Sequence, residues 1–359
     1  MFHIDFDYFY AQCEEIRRPE LKSKPVCVCV FSDRGGDSGA IATANYIARK
    51  SGVKSGIPIV FAKRKLIERN DAIFLPVDFD YYTEISEKSM QIIKEHSDIF
   101  EYVGRDEAYL DVTRRTNNDF TKASHLAQQI KNVIREKMRL TCSIGVSPNK
   151  MISKIASDFK KPDGLTVVRP EEVEKFLDPL KIRSIPGIGK KTEERFAEMN
   201  FHTIRDLKNL DIFMLTKEFG RKNGTYIFNS ARGIDVEPVK EKEPSIQFSK
   251  IVTLKEDSKE VEFLLKNLRE ICKELHMIVL KKNKTFKSVG IQFIQSDMTT
   301  KTKSKMLRNP TNDLEEMIKT SEQLLKEALT DQQNTIRRLG VKVSELSEIK
   351  GQSSITNYF

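Results

Sequence analysis

Met1-Phe2-His3-Ile4-Asp5-Phe6-Asp7 opens the chain as a strand of alternating character. Side chains alternate along a strand, so Phe2, Ile4 and Phe6 face one way and Asp5 and Asp7 the other. A second apolar stretch, Ile99 to Val112, carries Asp106-Glu107 at its middle and also reads as strand. Acidic residues are poor strand formers. Asp5, Asp106 and Glu107 converging on one sheet repel one another unless a cation sits between them. Hard divalent ions such as Mg²⁺ take a few carboxylate oxygens together with substrate phosphates. Two such ions side by side drive in-line phosphoryl or nucleotidyl transfer. Acids that cap turns or line a solvated strand face are the plainer alternative. That reading suffices for a lone Asp and accounts poorly for three in two apolar strands.

The length, 359 residues, suits two or more domains. Hydrophobic residues make up 39% and charged residues 31%, the balance of a soluble globular chain. The net charge of +9 favours polyanions, nucleic acid first and anionic membrane second. No apolar run approaches the length that spans a bilayer. The N-terminus lacks a signal-peptide pattern, with Asp5 and Asp7 where its apolar core would lie. An intracellular protein with no membrane partner is expected. The five cysteines are scattered, and Cys27 and Cys29 fall in a strand as buried small hydrophobes. No Cys/His spacing resembles a zinc site, and His3 is expected to be a packing residue.

Strands and helices alternate to about Val168, as in a mixed α/β domain. A helix-rich stretch follows from Glu171. Dense charge at residues 239–244 marks an exposed linker, and an α+β unit begins near Gln247. In that unit, strands are predicted over Gln247–Leu254, Phe286–Ile294, Thr299–Leu307 and Ile336–Val343, with helices over Glu260–Leu280 and Asp313–Leu329.

Asp5-Phe6-Asp7-Tyr8-Phe9-Tyr10 and Asp106-Glu107-Ala108-Tyr109-Leu110-Asp111 together resemble the palm of the Y-family (translesion) DNA polymerases, in their DinB-like archaeal branch. The residues from Gly39 to Lys50 are similar to that family's fingers motif. Ser143 to Lys150 and Ala156 to Gly164 are similar to its later palm motifs. Ile185-Pro186-Gly187-Ile188-Gly189 resembles its thumb, and Ile336 to Val341 the last strand of its little finger. The resemblance covers nearly the whole chain. It implies an α+β multidomain right-hand polymerase. The palm would be ferredoxin-like (1–10 and 74–168), the fingers small (11–73) and the thumb a helical helix-hairpin-helix (169–235). A linker (236–246), an α+β little finger (247–343) and a flexible tail (344–359) would follow.

On these residues the resemblance implies that Asp5 and Asp106 bridge two Mg²⁺ ions, with Mn²⁺ able to substitute. Glu107 would complete the site on the primer side, and the Phe6 carbonyl would ligate the nucleotide-bound ion. Asp7 would be supportive. Tyr10 would be a steric gate whose ring leaves no room for a 2′-hydroxyl, the group that distinguishes ribose. Thr43, Tyr46, Arg49 and Lys161 would hold the triphosphate, together with the backbone of Tyr8 and Phe9. Arg49 can fork onto phosphate oxygens, and Lys161 supplies a point charge. Ala40 and Ala42 would floor the nascent base pair. Gly187, Gly189 and Lys190 would present helix-start amides to a DNA phosphate, a sequence-independent contact. Arg337 and Arg338, with the lysines of the C-terminal unit, would face the duplex backbone. The implied partners are primer-template DNA and deoxynucleoside triphosphates, bound by a monomer without proofreading.

The tail, with Gln352, Ile355, Tyr358 and Phe359, resembles the peptide that docks on an archaeal or eukaryotic-type sliding clamp. An otherwise polar tail has little reason to expose three apolar residues. One departure stands out. Gly104 and Arg105 occupy positions where the family usually has Ser and an aliphatic residue. The guanidinium could compete for the carboxylates or reach a primer phosphate. Two rivals are a catalytically impaired DNA- and clamp-binding protein and a palm-type nucleotide cyclase.

Overall fold

The computed structural model describes residues 1–241, 245–330 and 334–349. It divides into two compact units, Met1–Val30 with Ala40–Lys242, and Phe31–Gly39 with Glu243–Phe359. The strands, in chain order, are β1 (Phe2–Phe6), β2 (Val26–Phe31), β3 (Gly39–Ala44), β4 (Ile73–Pro76), β5 (Ile99–Tyr102) and β6 (Glu107–Asp111). They continue as β7 (Cys142–Val146), β8 (Leu165–Val167), β9 (Gln247–Ser258), β10 (Lys284–Gln295), β11 (Thr300–Thr311) and β12 (Ile336–Glu348).

In the first unit a five-stranded sheet runs β5-β6-β1-β7-β8, with β1 at its centre and antiparallel to both neighbours. The alternation of β1 explains why. Phe2, Ile4 and Phe6 are buried in a core with Tyr82, Met90 and Ile93 of helix Phe79–Glu95 and Ile130 and Ile134 of helix Phe120–Met138. His3 and Asp5 face the other way, toward helix Lys150–Phe159. That helix lies so close to β7 that a Cβ on Gly145 would collide with the Ser153 carbonyl and the Ser157 amide. The second acidic stretch corrects the sequence reading. Ile99–Val112 is not one strand but a hairpin of β5 and β6, and Asp106 lies in its turn rather than inside a strand. The amides of Val103 and Gly104 both donate to the Glu107 carbonyl. Acids and glycine pair poorly in a sheet interior, so the chain reverses where they cluster and leaves them at the sheet's end.

A three-stranded sheet, β3-β2-β4, has its own core of Cys27, Cys29, Ile41, Ala48, Ile59 and Ala62. All five cysteines are free and buried, as expected of small hydrophobes. The helical stretch packs around Leu177, Ile185, Phe196, Leu207, Leu215 and Ile227. Gly187, at φ +84°, makes the left-handed turn that starts helix Lys190–Glu198, and the Tyr226 hydroxyl donates to the Pro186 carbonyl at 2.7 Å.

The second unit is an antiparallel sheet, β11-β10-β12-β9, with helices Val261–Lys281 and Leu314–Leu329 sharing its core. Its last strand runs past the predicted end at Val343. Leu346 pairs with Phe286 and Glu348 with Lys284, so Ser344 to Glu348 are sheet and not tail. Among the described residues no helix is long and apolar enough to cross a membrane.

Candidate active site

After β1 the chain turns through Tyr8, a non-glycine residue in the left-handed region at φ 36°, into helix Phe9–Arg17. This sharp turn sets Tyr8, Phe9 and Tyr10 beside Asp5 and Phe6 on one wall of a cavity of about 360 Å³. Ala42, Thr43, Tyr46 and Arg49 form the facing wall, and Asp106 and Lys161 close it. Every residue predicted to bind metal or nucleotide therefore lines this one cavity, except Glu107 and, of the two base-pair floor residues, Ala40. Ser55 lines it too and was missed, since a serine after a lysine carries no local signal.

Asp5 and Asp106 are the cavity's carboxylates. The Phe6 amide donates to the Asp106 carbonyl at 2.8 Å, which fixes the hairpin turn against the end of β1. Burial pushes the Asp5 carboxyl up to about 6, opposed by the Lys161 ammonium 2.7 Å away and reinforced by Asp106. Burial also raises Asp106. Low-dielectric surroundings disfavour the charged form of a carboxylate, and at Asp5 the single ammonium of Lys161 only partly offsets that cost. Glu107 is paired with Asp5 across the ladder but behaves oppositely. It is held down at about 2 by its hydrogen bond with His3 and by the Lys154 ammonium, against its own burial. His3 is buried, with Nε2 3.2 Å from Glu107 Oε2 and Nδ1 2.8 Å from Ser157 Oγ. The expected packing role is thus incomplete: His3 also orients Glu107. Lys154 was overlooked as well. Among the described residues no three Asp, Glu, His or Cys side chains are gathered into a ready-made metal cage. The predicted convergence of three acids is realised for Asp5 and Asp106, with Glu107 turned to His3 and Lys154. Two carboxylates at the mouth of one cavity, Asp5 half-buried and Asp106 exposed, are a donor set that suits a hard divalent ion.

The far wall carries hydrogen-bond donors and positive charge. The Tyr46 hydroxyl is buried without a hydrogen-bond partner among the described residues. The Arg49 guanidinium lies over the Tyr46 ring at 5.0 Å, and its Nε donates to the Ala44 carbonyl at 2.8 Å. Asn45 caps the helix carrying both, accepting from the Ala48 amide. Lys161 sits in a loop seated by Asp7, which is fully buried. Asp7 accepts from Thr141 Oγ1, Ser143 Oγ and the Asp163 amide, each at 2.8 Å. Asp7 is therefore internal and not a cavity ligand, in keeping with a supportive part.

The Tyr10 ring stacks on Tyr82 with centroids 4.6 Å apart, and the edge of Phe79 meets it at 6.1 Å. Arg105 does not compete for the carboxylates: its Nε donates to Thr83 Oγ1 at 2.8 Å. Elsewhere, Gly189 caps helix Lys190–Glu198, and Lys190 pairs with Glu194 at 3.4 Å. Strand alternation puts Arg337 and Arg338 on opposite faces of β12. Arg337 approaches Asp257 at 3.8 Å, while Arg338 donates to Thr253 Oγ1 at 3.0 Å. Lys303 and Lys305 reach helix Leu314–Leu329, at Glu327 and Gln323. Gln352, Ile355, Tyr358 and Phe359 lie outside the described residues.

Fold and cavity are those of a right-hand polymerase with a mixed α+β palm and a helix-hairpin-helix thumb. A model of the impB/mucB/samB family matches residues 4–158, and that of the family's C-terminal domain matches residues 245–356. A model described as the thumb domain of DNA polymerase-iota matches residues 183–235. The chain is 76% identical to DNA polymerase IV of Nitrosopumilus maritimus, over 100% of its own length and 99% of the relative's. It is 41% identical to DNA polymerase IV of Methanosarcina acetivorans, over 99% and 98%. Among solved structures, the Y-family polymerase chimera Dbh-Dpo4(243-245)-Dbh is similar at a TM-score of 0.89 and 36% identity, over 97% of this chain and 99% of that one. An insertion ternary complex of Dbh DNA polymerase is similar at a TM-score of 0.69 and 36% identity, over 96% and 98%. The chain belongs to the Y family of DNA polymerases, in its archaeal DinB-like branch, and is a DNA-directed DNA polymerase.

Proposed function

We propose that this polymerase performs low-fidelity, translesion DNA synthesis, adding deoxynucleotides to a primer by two-metal nucleotidyl transfer without proofreading. The observation that carries the reading is the single cavity lined by Asp5 and Asp106 together with Tyr46, Arg49 and Lys161, with Ala42 beside them. Asp5, Asp106 and the Phe6 carbonyl would hold two Mg²⁺ ions, with Glu107 toward the primer and Mn²⁺ as a substitute. When bound, the ions stabilise charge on the transferring phosphoryl group and lower the pKa of the primer 3′-hydroxyl.

The chain's own residues supply the rest. Arg49 and the Tyr46 hydroxyl donate to phosphate oxygens, and Thr43 adds a third donor. Lys161, paired with Asp5 and Asp158 at 2.7 Å, brings the ammonium that a triphosphate would share. Preorganised donors of this kind need no rearrangement as charge develops. Tyr10 lies under the sugar and excludes a 2′-hydroxyl. Ala42 leaves the base-pair pocket open, which admits damaged templates at the expense of fidelity. The palm would comprise residues 1–10 and 74–168, the fingers 11–73, the thumb 169–235 and the little finger 247–343. Gly187, Gly189, Lys190, Arg337 and Arg338 would hold primer-template DNA. The C-terminal peptide would dock on a sliding clamp, and the protein would act as a cytoplasmic monomer.

The test is extension of a labelled primer in Mg²⁺ on an intact template and on one with an abasic site, with Asp106→Ala/Glu107→Ala as control. Extension lost in the control and continuing past the abasic site is expected. DNA binding without extension in either Mg²⁺ or Mn²⁺ would favour the catalytically impaired binding protein.

A further inference from the structure

We infer that Arg105 is a positioning residue for sugar discrimination, acting on Tyr10 through the ring of Phe79. The inference rests on the reading of Tyr10 as the sugar gate.

The two sides of the Tyr10 ring are held very differently. On one side Tyr82 is fully buried, and its hydroxyl donates to Glu14 Oε1 at 2.8 Å. Glu14 is itself buried and paired with Arg17 and Arg18. That side is rigid, since neither the ring nor its hydrogen-bond partner can move without exposing a buried carboxylate. On the other side stands Phe79, the first residue of helix Phe79–Glu95, which is 42% exposed. A half-exposed ring at a helix start has several rotamers open to it. The one seen here meets the Tyr10 ring in a T-shaped contact, at 81° between planes.

Arg105 removes that freedom. Its guanidinium lies over the Phe79 ring at 5.1 Å, within cation–π range. Its Nε donates to Thr83 Oγ1 at 2.8 Å, and Thr83 in turn donates to the Phe79 carbonyl at 2.7 Å. Phe79 and Thr83 are one turn apart, so a single side chain grips both the ring and the backbone that carries it. An aliphatic residue at 105 could cover the ring but could not bond Thr83. Arg105 also adjoins Asp106 in the hairpin turn, so the grip ties the carboxylate turn to the wall behind the gate. Without it, Phe79 swings toward solvent, and Tyr10 can tilt off Tyr82 enough to accept a 2′-hydroxyl.

The experiment is single-nucleotide insertion of matched deoxy- and ribonucleoside triphosphates by the full chain. The variants are Arg105→Ala, Arg105→Lys, Phe79→Ala, Tyr10→Ala and Tyr10→Ala/Arg105→Ala. Arg105→Ala and Phe79→Ala should each lower the ratio of kcat/KM values by about three- to tenfold, the range open to one cation–π and one aromatic edge contact. The gain should fall on ribonucleotide use. Arg105→Lys should recover only part of the ratio, because an ammonium cannot grip ring and hydroxyl together. Arg105→Ala should add nothing once Tyr10 is alanine. If Tyr10→Ala lowers discrimination but Arg105→Ala does not, the inference is overturned and the gate stands. If Arg105→Ala changes deoxynucleotide turnover and Mg²⁺ dependence with the ratio intact, Arg105 serves the Asp106 turn and the inference is likewise overturned. If Tyr10→Ala itself leaves the ratio unchanged, the gate reading fails and takes the inference with it.

Discussion

Asp5 and Glu107 face each other across one ladder rung, yet folding moves their pKa values in opposite directions. The signs predict opposite behaviour with pH. Asp5 is raised, so its favourable contribution is complete below its unfolded value of 3.8 and fades as pH rises through about 6. Glu107 is lowered, so its contribution is complete above 4.5 and is lost as pH falls through about 2. In chelator, Asp5→Asn should therefore raise Tm at pH 8 and leave it unchanged at pH 4. Glu107→Gln should lower stability at pH 8 by about 1–2 kcal/mol, because buried His3 and Lys154 lose a half-buried charged partner. Thermal melts at the two pH values check both signs. Adding Mg²⁺ at pH 8 should raise the Tm of the wild-type chain, and that gain should vanish in Asp5→Asn. At the neighbouring wall, Tyr10→Ala should erode the preference for deoxynucleotides by about a hundredfold, as expected when a pocket no longer excludes a hydroxyl. Unchanged discrimination in insertion assays would refute the gate.

The element that matters most is helix Lys150–Phe159, laid directly on β1 and β7. It brings Lys154 and Ser157 to the Glu107–His3 pair and ends beside Lys161. Its close approach depends on Gly145, where any side chain would enter the helix backbone. Gly145→Ala should cost about 2–4 kcal/mol, the scale of overpacking with backbone displacement. It should depress activity more than stability alone explains, since the helix carries the partners of Glu107. Urea titrations alongside primer extension separate the two effects. The hairpin of β5 and β6 was only half legible. Its apolar residues announced a strand, while the glycine and acids that mark the reversal were read as a carboxylate face inside that strand. The length of β12 was hidden in the composition: Ser344, Glu345, Ser347 and Glu348 are polar, and the stretch joins the sheet because β10 offers it partners, with Leu346 against the core.

At the scale of the molecule, the cavity lies wholly within the first unit, and the second has a separate core. A chain ending at Glu241 should therefore retain Mg²⁺-dependent extension at high DNA concentration. Its affinity should fall by one to two orders of magnitude, about the share of a few lost phosphate contacts. Extension titrated against DNA checks this, and complete inactivity of a folded fragment would contradict it. Removing Gln352 to Phe359 should abolish stimulation by a sliding clamp and spare basal synthesis. Loss of both activities, or of neither, would count against the clamp peptide.

Residues that announce themselves through local chemistry could be read without a fold. Acids in apolar strands, the aromatic run Tyr8-Phe9-Tyr10 and the cationic Arg49 and Lys161 all do so, because charge and shape out of keeping with a strand or helix need a reason. The folded chain brings Asp5, Asp106, the three aromatic residues, Arg49 and Lys161 to one cavity and leaves Glu107 outside its lining. The pairings of His3 with Glu107, of Glu14 with Tyr82 and of Arg105 with Phe79 and Thr83 were invisible in the same letters. Each joins side chains from separate elements, and a histidine, a glutamate or an arginine looks the same in sequence whether it meets solvent or a buried partner. Burial and partner choice arise only when strands and helices pack. The pKa of Asp5, the restraint on Glu107 and the rigidity behind Tyr10 are therefore properties of that packing.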